Sequence, residues 1–150
     1  MVVDSKKRPQ GTFDSNLELD SGHQVNTATT TYGSDSDDAA IVLDIGTGLF
    51  KGMAIIDVSA IDTDDGDENY DFYLQGGEDV GFAAAVPLVT LKIGDVSEHA
   101  LRVGADSTAG RYKMYFDNES NGTYYRYVRL ALVTTGDVDI TFSSYVVPIN

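Results

Sequence analysis

The chain has 150 residues, no cysteine and no tryptophan, and its 24 Asp and Glu against ten Lys and Arg give a formal charge of −14. That length fits one domain burying roughly 70% of the surface its unfolded chain exposes. Lack of cysteine excludes disulfides and thiolate metal sites, and the net charge repels nucleic acid and anionic membrane at long range, so neither is expected as a partner.

Residues 1–16, rich in Lys, Arg, Pro, Gly, Ser and Asp, read as an extended arm before a domain spanning 17–150. Met1 to Pro9 lack the apolar run of a signal peptide, and no segment approaches roughly 18 consecutive apolar residues. A soluble protein made in a cytoplasm is expected. Charge is uneven along the chain. Residues 1–8 carry three positive and one negative charge, 9–110 carry three and 19, and 111–150 carry four of each.

After a short alternation at Leu17-Glu18-Leu19, the β-branched stretch Val25 to Tyr32 predicts a first strand. Gly33 to Asp38 breaks it, and Ala40 to Asp44 resumes as strand. Lys51 to Ser59 and Tyr70 to Gln75 follow as strands around an acidic hairpin tip, 61–69, whose Asp65-Gly66 step suits a tight turn. Ala83-Ala84-Ala85 is too short for a stable helix before Pro87, Leu88 to Ile93 is strand, and Leu101 and Val103 mark a short one. Arg111 to Asp117, Tyr124 to Val133 and Val138 to Val147 alternate apolar and polar residues most clearly, the signature of strands with one buried face. Asn121-Gly122, both tolerant of positive φ, signals a hairpin between the first two, and Thr135-Gly136-Asp137 turns into the third. About eight or nine strands and no helical stripe predict an all-β, single-domain β-sandwich, jelly-roll-like, with Greek-key connections.

Chemical motifs are sparse. Leu43-Asp44-Ile45-Gly46-Thr47 with Lys51 looks like the first phosphate loop of actin-like ATPases, but over fewer than ten residues, and a strand ending in a glycine turn accounts for it. Asp62, Asp64, Asp65 and Asp67, with Glu68, offer the oxygens a hard cation wants. The register of a calcium loop fails, since Gly66 falls one position early and Tyr73 stands where the closing Glu belongs, so a solvated tip is the expectation. His23 and His99 are isolated, and neither has a spacing that nominates a Ser or Asp partner. No cofactor and no enzymatic activity are expected. Asn118-Glu119-Ser120 and Asn121-Gly122-Thr123 match glycosylation acceptors without an export signal to give them meaning. On an alternating strand Tyr125, Tyr127 and Arg129 share the face opposite Val128, Leu130 and Leu132, and Tyr and Arg are favoured at protein interfaces.

Three stretches carry a family resemblance: Leu17 to Thr30 with Ile41 to Gly46; Ile56-Asp57-Val58 with Phe72-Tyr73-Leu74-Gln75; and Tyr125-Arg126-Tyr127-Val128-Arg129-Leu130 through Gly136 into the last strand. In order and pattern the chain resembles the small cement, or decoration, proteins that bind the outside of tailed-phage heads. The departures are the basic arm and the long Asp-rich tip. The resemblance implies a jelly-roll-like sandwich without catalysis, a homotrimer on three-fold positions of the expanded head, the major capsid protein as partner, and a place on the capsid exterior of the virion after synthesis in the host cytoplasm. Lys6, Lys7 and Arg8 in the arm and Tyr125, Tyr127 and Arg129 are the contact candidates. The alternative is a carbohydrate-binding β-sandwich module, adhesive or lectin-like, in which exposed tyrosines stack on sugars.

Overall fold

A computed structural model of the protein describes residues 17–98 and 106–149. The expected contact residues Lys6, Lys7 and Arg8, and the short strand expected at Leu101 and Val103, lie outside the described residues.

Eleven strands run in chain order: β1 (Glu18–Val25), β2 (Thr30–Tyr32), β3 (Leu43–Asp44), β4 (Lys51–Ile61), β5 (Asn69–Gly77), β6 (Val86–Gly94), β7 (Gly110–Asp117), β8 (Glu119–Ser120), β9 (Thr123–Tyr124), β10 (Tyr127–Thr135) and β11 (Ile140–Pro148). One sheet has the order β1-β11-β4-β7, and the other has β2-β10-β5-β6 with β3 also on β10. Every pairing is antiparallel.

This order has a simple origin. Set aside the short β3, β8 and β9, and the pairs β1·β11, β2·β10, β4·β7 and β5·β6 are the rungs of one long folded-back ribbon. Rolling that ribbon brings β11 against β4 and β10 against β5, which makes the two sheets of a jelly roll. The all-β sandwich expectation therefore holds.

The core lies between the sheets, and period-two alternation builds it. Ala54, Ile56 and Val58 of β4, Met114 and Phe116 of β7, and Ile140, Phe142 and Val146 of β11 face Tyr70, Phe72 and Leu74 of β5 and Val128, Leu130 and Leu132 of β10. Phe72 meets Phe142 edge-on across the sheets, with centroids 5.1 Å apart at 81°. Each of the Val, Leu, Ile, Met and Phe side chains contributes about 1.5–3 kcal/mol of burial.

Several expectations need correcting. Val25 to Tyr32 is not one strand: β1 ends at Val25, and the chain then passes from the four-stranded sheet to β2 in the other. Of Ala40 to Asp44 only Leu43–Asp44 is strand, and Ala40 makes a lone bridge to Ser34. The acidic segment after β4 is no hairpin tip, because β4 and β5 belong to opposite sheets and 62–68 crosses between them. Thr135 to Asp137 likewise crosses from β10 to β11. Tyr70 ties these crossovers together, its hydroxyl donating to the Asp62 carbonyl at 2.7 Å and accepting from the Asp139 N–H at 3.0 Å. Burial and the nearby carboxylates push that hydroxyl up to about 12.

Asn121-Gly122 does turn a hairpin, with φ of 51° and 84°, but it joins only β8 to β9. The strands on either side diverge, β7 to β4 and β10 to β5. Buried Asn118 anchors that hairpin: its Nδ2 donates to the Gly48 and Tyr125 carbonyls and its Oδ1 accepts from Phe50 N–H. Pro87 sits within β6, which tolerates it as the edge of its sheet, at the register shift between Leu74 and Gln75.

Candidate interaction surface

Strand β10 presents two faces. Val128, Leu130 and Leu132 are buried at 0–1% exposure, so Tyr127, Arg129, Ala131 and Val133 point outward. Register sets their neighbours: Arg129 stands opposite Gln75 of β5, and Ala131 stands between Tyr73 of β5 and Tyr32 of β2.

Arg129 is the centre of this face. Its Nε donates to Gln75 Oε1 at 2.8 Å, and its guanidinium lies 4.0 Å from the Tyr32 ring centroid and 4.3 Å from that of Phe82. Phe82 comes from the β5–β6 loop and has a φ of 52°, a left-handed conformation unusual for a bulky residue. Asp79 shapes that turn, its carbonyl accepting from Phe82 N–H and its Oδ1 from Gly81 N–H. Gly77 makes room, since a Cβ there would stand 2.7 Å from the Phe82 ring. The ring is thereby buried while Tyr32 stays 42% exposed.

The other contact candidates on this segment divide. Tyr127 shares the outward face, half-buried, with the Arg126 guanidinium 5.4 Å from its ring. Tyr125 does not share it. Strand pairing begins only at Tyr127, and Tyr125 packs where a side chain on Gly76 would point, beside Leu88 on the inward side of β5. Arg126, which sequence reasoning did not single out, forms a fork with Asp44, Nε to Oδ1 at 2.9 Å and Nη2 to Oδ2 at 2.8 Å. Asp44 also caps the Gly46 turn through Gly46 N–H. The hydrogen bonds from Arg126 and Gly46 hold its carboxyl below the ordinary range.

The acidic crossover gathers Asp62, Asp65 and Glu68, whose carboxylate oxygens lie within 4.8 Å of one another. Asp64 and Asp67, expected with them, are not in this group: Asp64 donates its N–H to Asp62, and Asp67 Oδ1 accepts from Asp137 N–H. Fully buried Glu68 accepts from the N–H groups of Asp65, Gly66 and Asp67 at 2.6, 3.0 and 3.2 Å, so it organises the loop. A hard cation there would have to share the Glu68 carboxylate with those donors. A hydrogen bond and charge repulsion from Asp137 raise the Asp65 carboxyl above its usual value.

His23 does have partners, contrary to the spacing argument. Its Nδ1 lies 2.9 Å from Asp20 Oδ2, and its Nε2 lies 3.0 Å from Ser34 Oγ and 3.3 Å from Asp38 Oδ1. The residue types are those of a hydrolytic triad, but the geometry is different. Ser34 Oγ is also 3.3 Å from Nδ1, and an oxygen nearly equidistant from both ring nitrogens lies against the ring face, off either lone pair. Ser34 is moreover only 7% exposed. The group is a clasp: Asp20 also accepts from the N–H of Gly22 and of Ser34, binding β1 to the β2–β3 connection. Burial raises the Asp20 carboxyl. For His23, burial acts downward but is outweighed by Asp20 and Asp38, which raise it.

The four-stranded sheet has a different exterior. Met53, Ile55, Tyr145 and Val147 point away from the main core yet are buried as a second cluster. Beside them Arg111 forks onto Asp57, 2.7 and 3.1 Å, and an open groove of about 520 Å³ runs past Ser21, Ser59, Thr141 and Ser143. No protein-family model matches the chain, and no curated protein or solved structure is significantly similar to it.

Proposed function

We propose that this chain is a structural virion component, a cement protein that binds the outside of an expanded phage capsid and braces neighbouring major capsid protein subunits. The carrying observation is the outward face of the five-stranded sheet, where Tyr127, Tyr32 and the clamped Arg129 form a pre-ordered aromatic and cationic patch on an otherwise acidic protein. Aromatic residues and arginine anchor protein interfaces because they bury large area at small entropic cost.

The rest of the molecule is consistent with bracing. A rolled sandwich clamped at its crossovers by Tyr70 and Glu68 is stiff, and its acidic surface keeps it soluble at high copy number. As a homotrimer it would engage several capsid subunits together, so modest contacts sum to firm retention.

Co-sedimentation of the purified protein with expanded, cement-free heads tests the reading. Saturable binding at a fixed ratio to capsid subunits is expected, with the ratio reporting three-fold placement. Folded protein that leaves expanded heads bare would end it, and a glycan array would then test the carbohydrate-binding alternative.

A further inference from the structure

Three arginines lie among the described residues, and two of them are neutralised within the chain. Arg111 forks onto Asp57 and Arg126 forks onto Asp44. Arg129 has no carboxylate partner among the described residues, although the protein is strongly acidic. Its environment instead fixes the guanidinium and leaves part of it open. The Tyr32 and Phe82 ring centroids lie 4.0 and 4.3 Å from its Cζ, and Gln75 takes Nε–H. A guanidinium flanked by two aromatic rings keeps its N–H groups, which lie in its own plane, for hydrogen bonding. With Nε engaged, the Nη1 and Nη2 groups remain, and no group among the described residues hydrogen-bonds to them.

We propose that Arg129 is a docking point for one carboxylate, an Asp or Glu side chain of the protein partner, taken in the plane of the guanidinium by its Nη groups. The partner's being a protein rests on the cement reading; the carboxylate chemistry rests on the site. A planar, singly charged carboxylate matches the two N–H groups, and charge-assisted bonds of this kind are strong where the donor is already held. One arginine in a protein of net charge −14 is a poor site for a phosphate dianion. The site also carries the marks of construction. Phe82 is held at positive φ by the Asp79 turn and is admitted by Gly77, and its ring lies outside the cluster that fills the space between the sheets.

The full chain is titrated with N-acetyl-aspartate methylamide while the arginine Nε–H and Gln75 side-chain amide resonances are followed, with inorganic phosphate in parallel. A saturable shift at Arg129 and Gln75, absent at Arg111 and Arg126, is expected, and Arg129→Lys, which keeps the charge and loses the fork, should abolish the Gln75 response. No saturable shift, equal shifts at all three arginines, or phosphate binding as tightly as the carboxylate would overturn the proposal. Head binding separates the two readings. If wild type binds heads, Arg129→Lys should weaken it about tenfold or more; equal binding by the variant overturns the carboxylate site and leaves the cement reading standing. A carboxylate response in a protein that never binds heads removes the cement reading and keeps the site.

Discussion

The two outward faces of this sandwich are built by the same alternation and end in opposite states. On the four-stranded sheet, Ile55 and Met53 pair in register with Tyr145 and Val147, and all four are buried. On the five-stranded sheet Tyr32 is exposed and Arg129 is held with part of its guanidinium unbonded. The arginines make the contrast sharp. Arg111 of β7 stands directly opposite Asp57 of β4, whereas Arg129 of β10 stands opposite Gln75 of β5. Cross-strand neighbours are the nearest side chains on a sheet face, so the residue opposite decides whether an arginine finds a carboxylate within its own sheet. One face buries a cluster of apolar side chains; the other leaves an aromatic ring and part of a guanidinium exposed.

The largest test of that division is Ile55→Ala, which removes a side chain with no exposure and should cost about 2–5 kcal/mol in denaturant unfolding. Arg129→Lys, on the open face, should cost no more than about 1 kcal/mol. Equal losses would mean that the faces do not differ as described.

Acidity separates them next. The His23 clasp sits on β1, the edge of the four-stranded sheet, and its ring titrates higher in the folded protein than the ordinary 6.5. A raised value means that the folded state binds the proton more tightly. The clasp's contribution is therefore complete below about pH 6.5 and is lost as pH rises through the folded-state value. Thermal midpoints should fall across that window in wild type and fall less in His23→Gln. Carboxylate binding at Arg129 should be flat over the same range.

Strand faces were legible in the sequence because burial on one side imposes period two: β4, β5, β6, β7, β10 and β11 all fall on expected runs, and Val128, Leu130 and Leu132 are inward as read. Partnership was not legible. A glycine turn looks the same whether it closes a hairpin, as Asn121-Gly122 does, or carries the chain to the other sheet, as the 62–68 and 135–137 segments do. Among the long strands, only β5 and β6 are both consecutive and paired. Arg129 could be nominated from alternation. Phe82 could not, because it reaches Arg129 through a left-handed turn admitted by Gly77, and no periodicity marks it. Tyr125 was placed on the wrong side for a related reason: the chain bends at Arg126, which breaks the alternation before β10 begins. His23 finds Ser34 and Asp38 only because the β2–β3 connection returns beside β1. Gly33 passes so close there that a Cβ would run into the Leu19 carbonyl.

If the opposite residue alone sets an arginine's fate, the two sites should be exchangeable by reciprocal substitutions of small energetic weight. Gln75→Glu puts a carboxylate across from Arg129 and should abolish its response to added carboxylate. Asp57→Asn removes the charged partner of Arg111, which lies 6.0 Å from the Tyr145 ring. Both pairs lie partly in water, so unfolding free energies should move by less than about 1 kcal/mol in either variant. The informative reading is the arginine resonance. Arg111 has one ring nearby where Arg129 has two, so the freed Arg111 should respond to carboxylate more weakly than wild-type Arg129. An equal response would make the Phe82 clamp superfluous and leave register as the whole cause. No response at Arg111 would mean that the second ring is what holds a guanidinium ready for an incoming carboxylate.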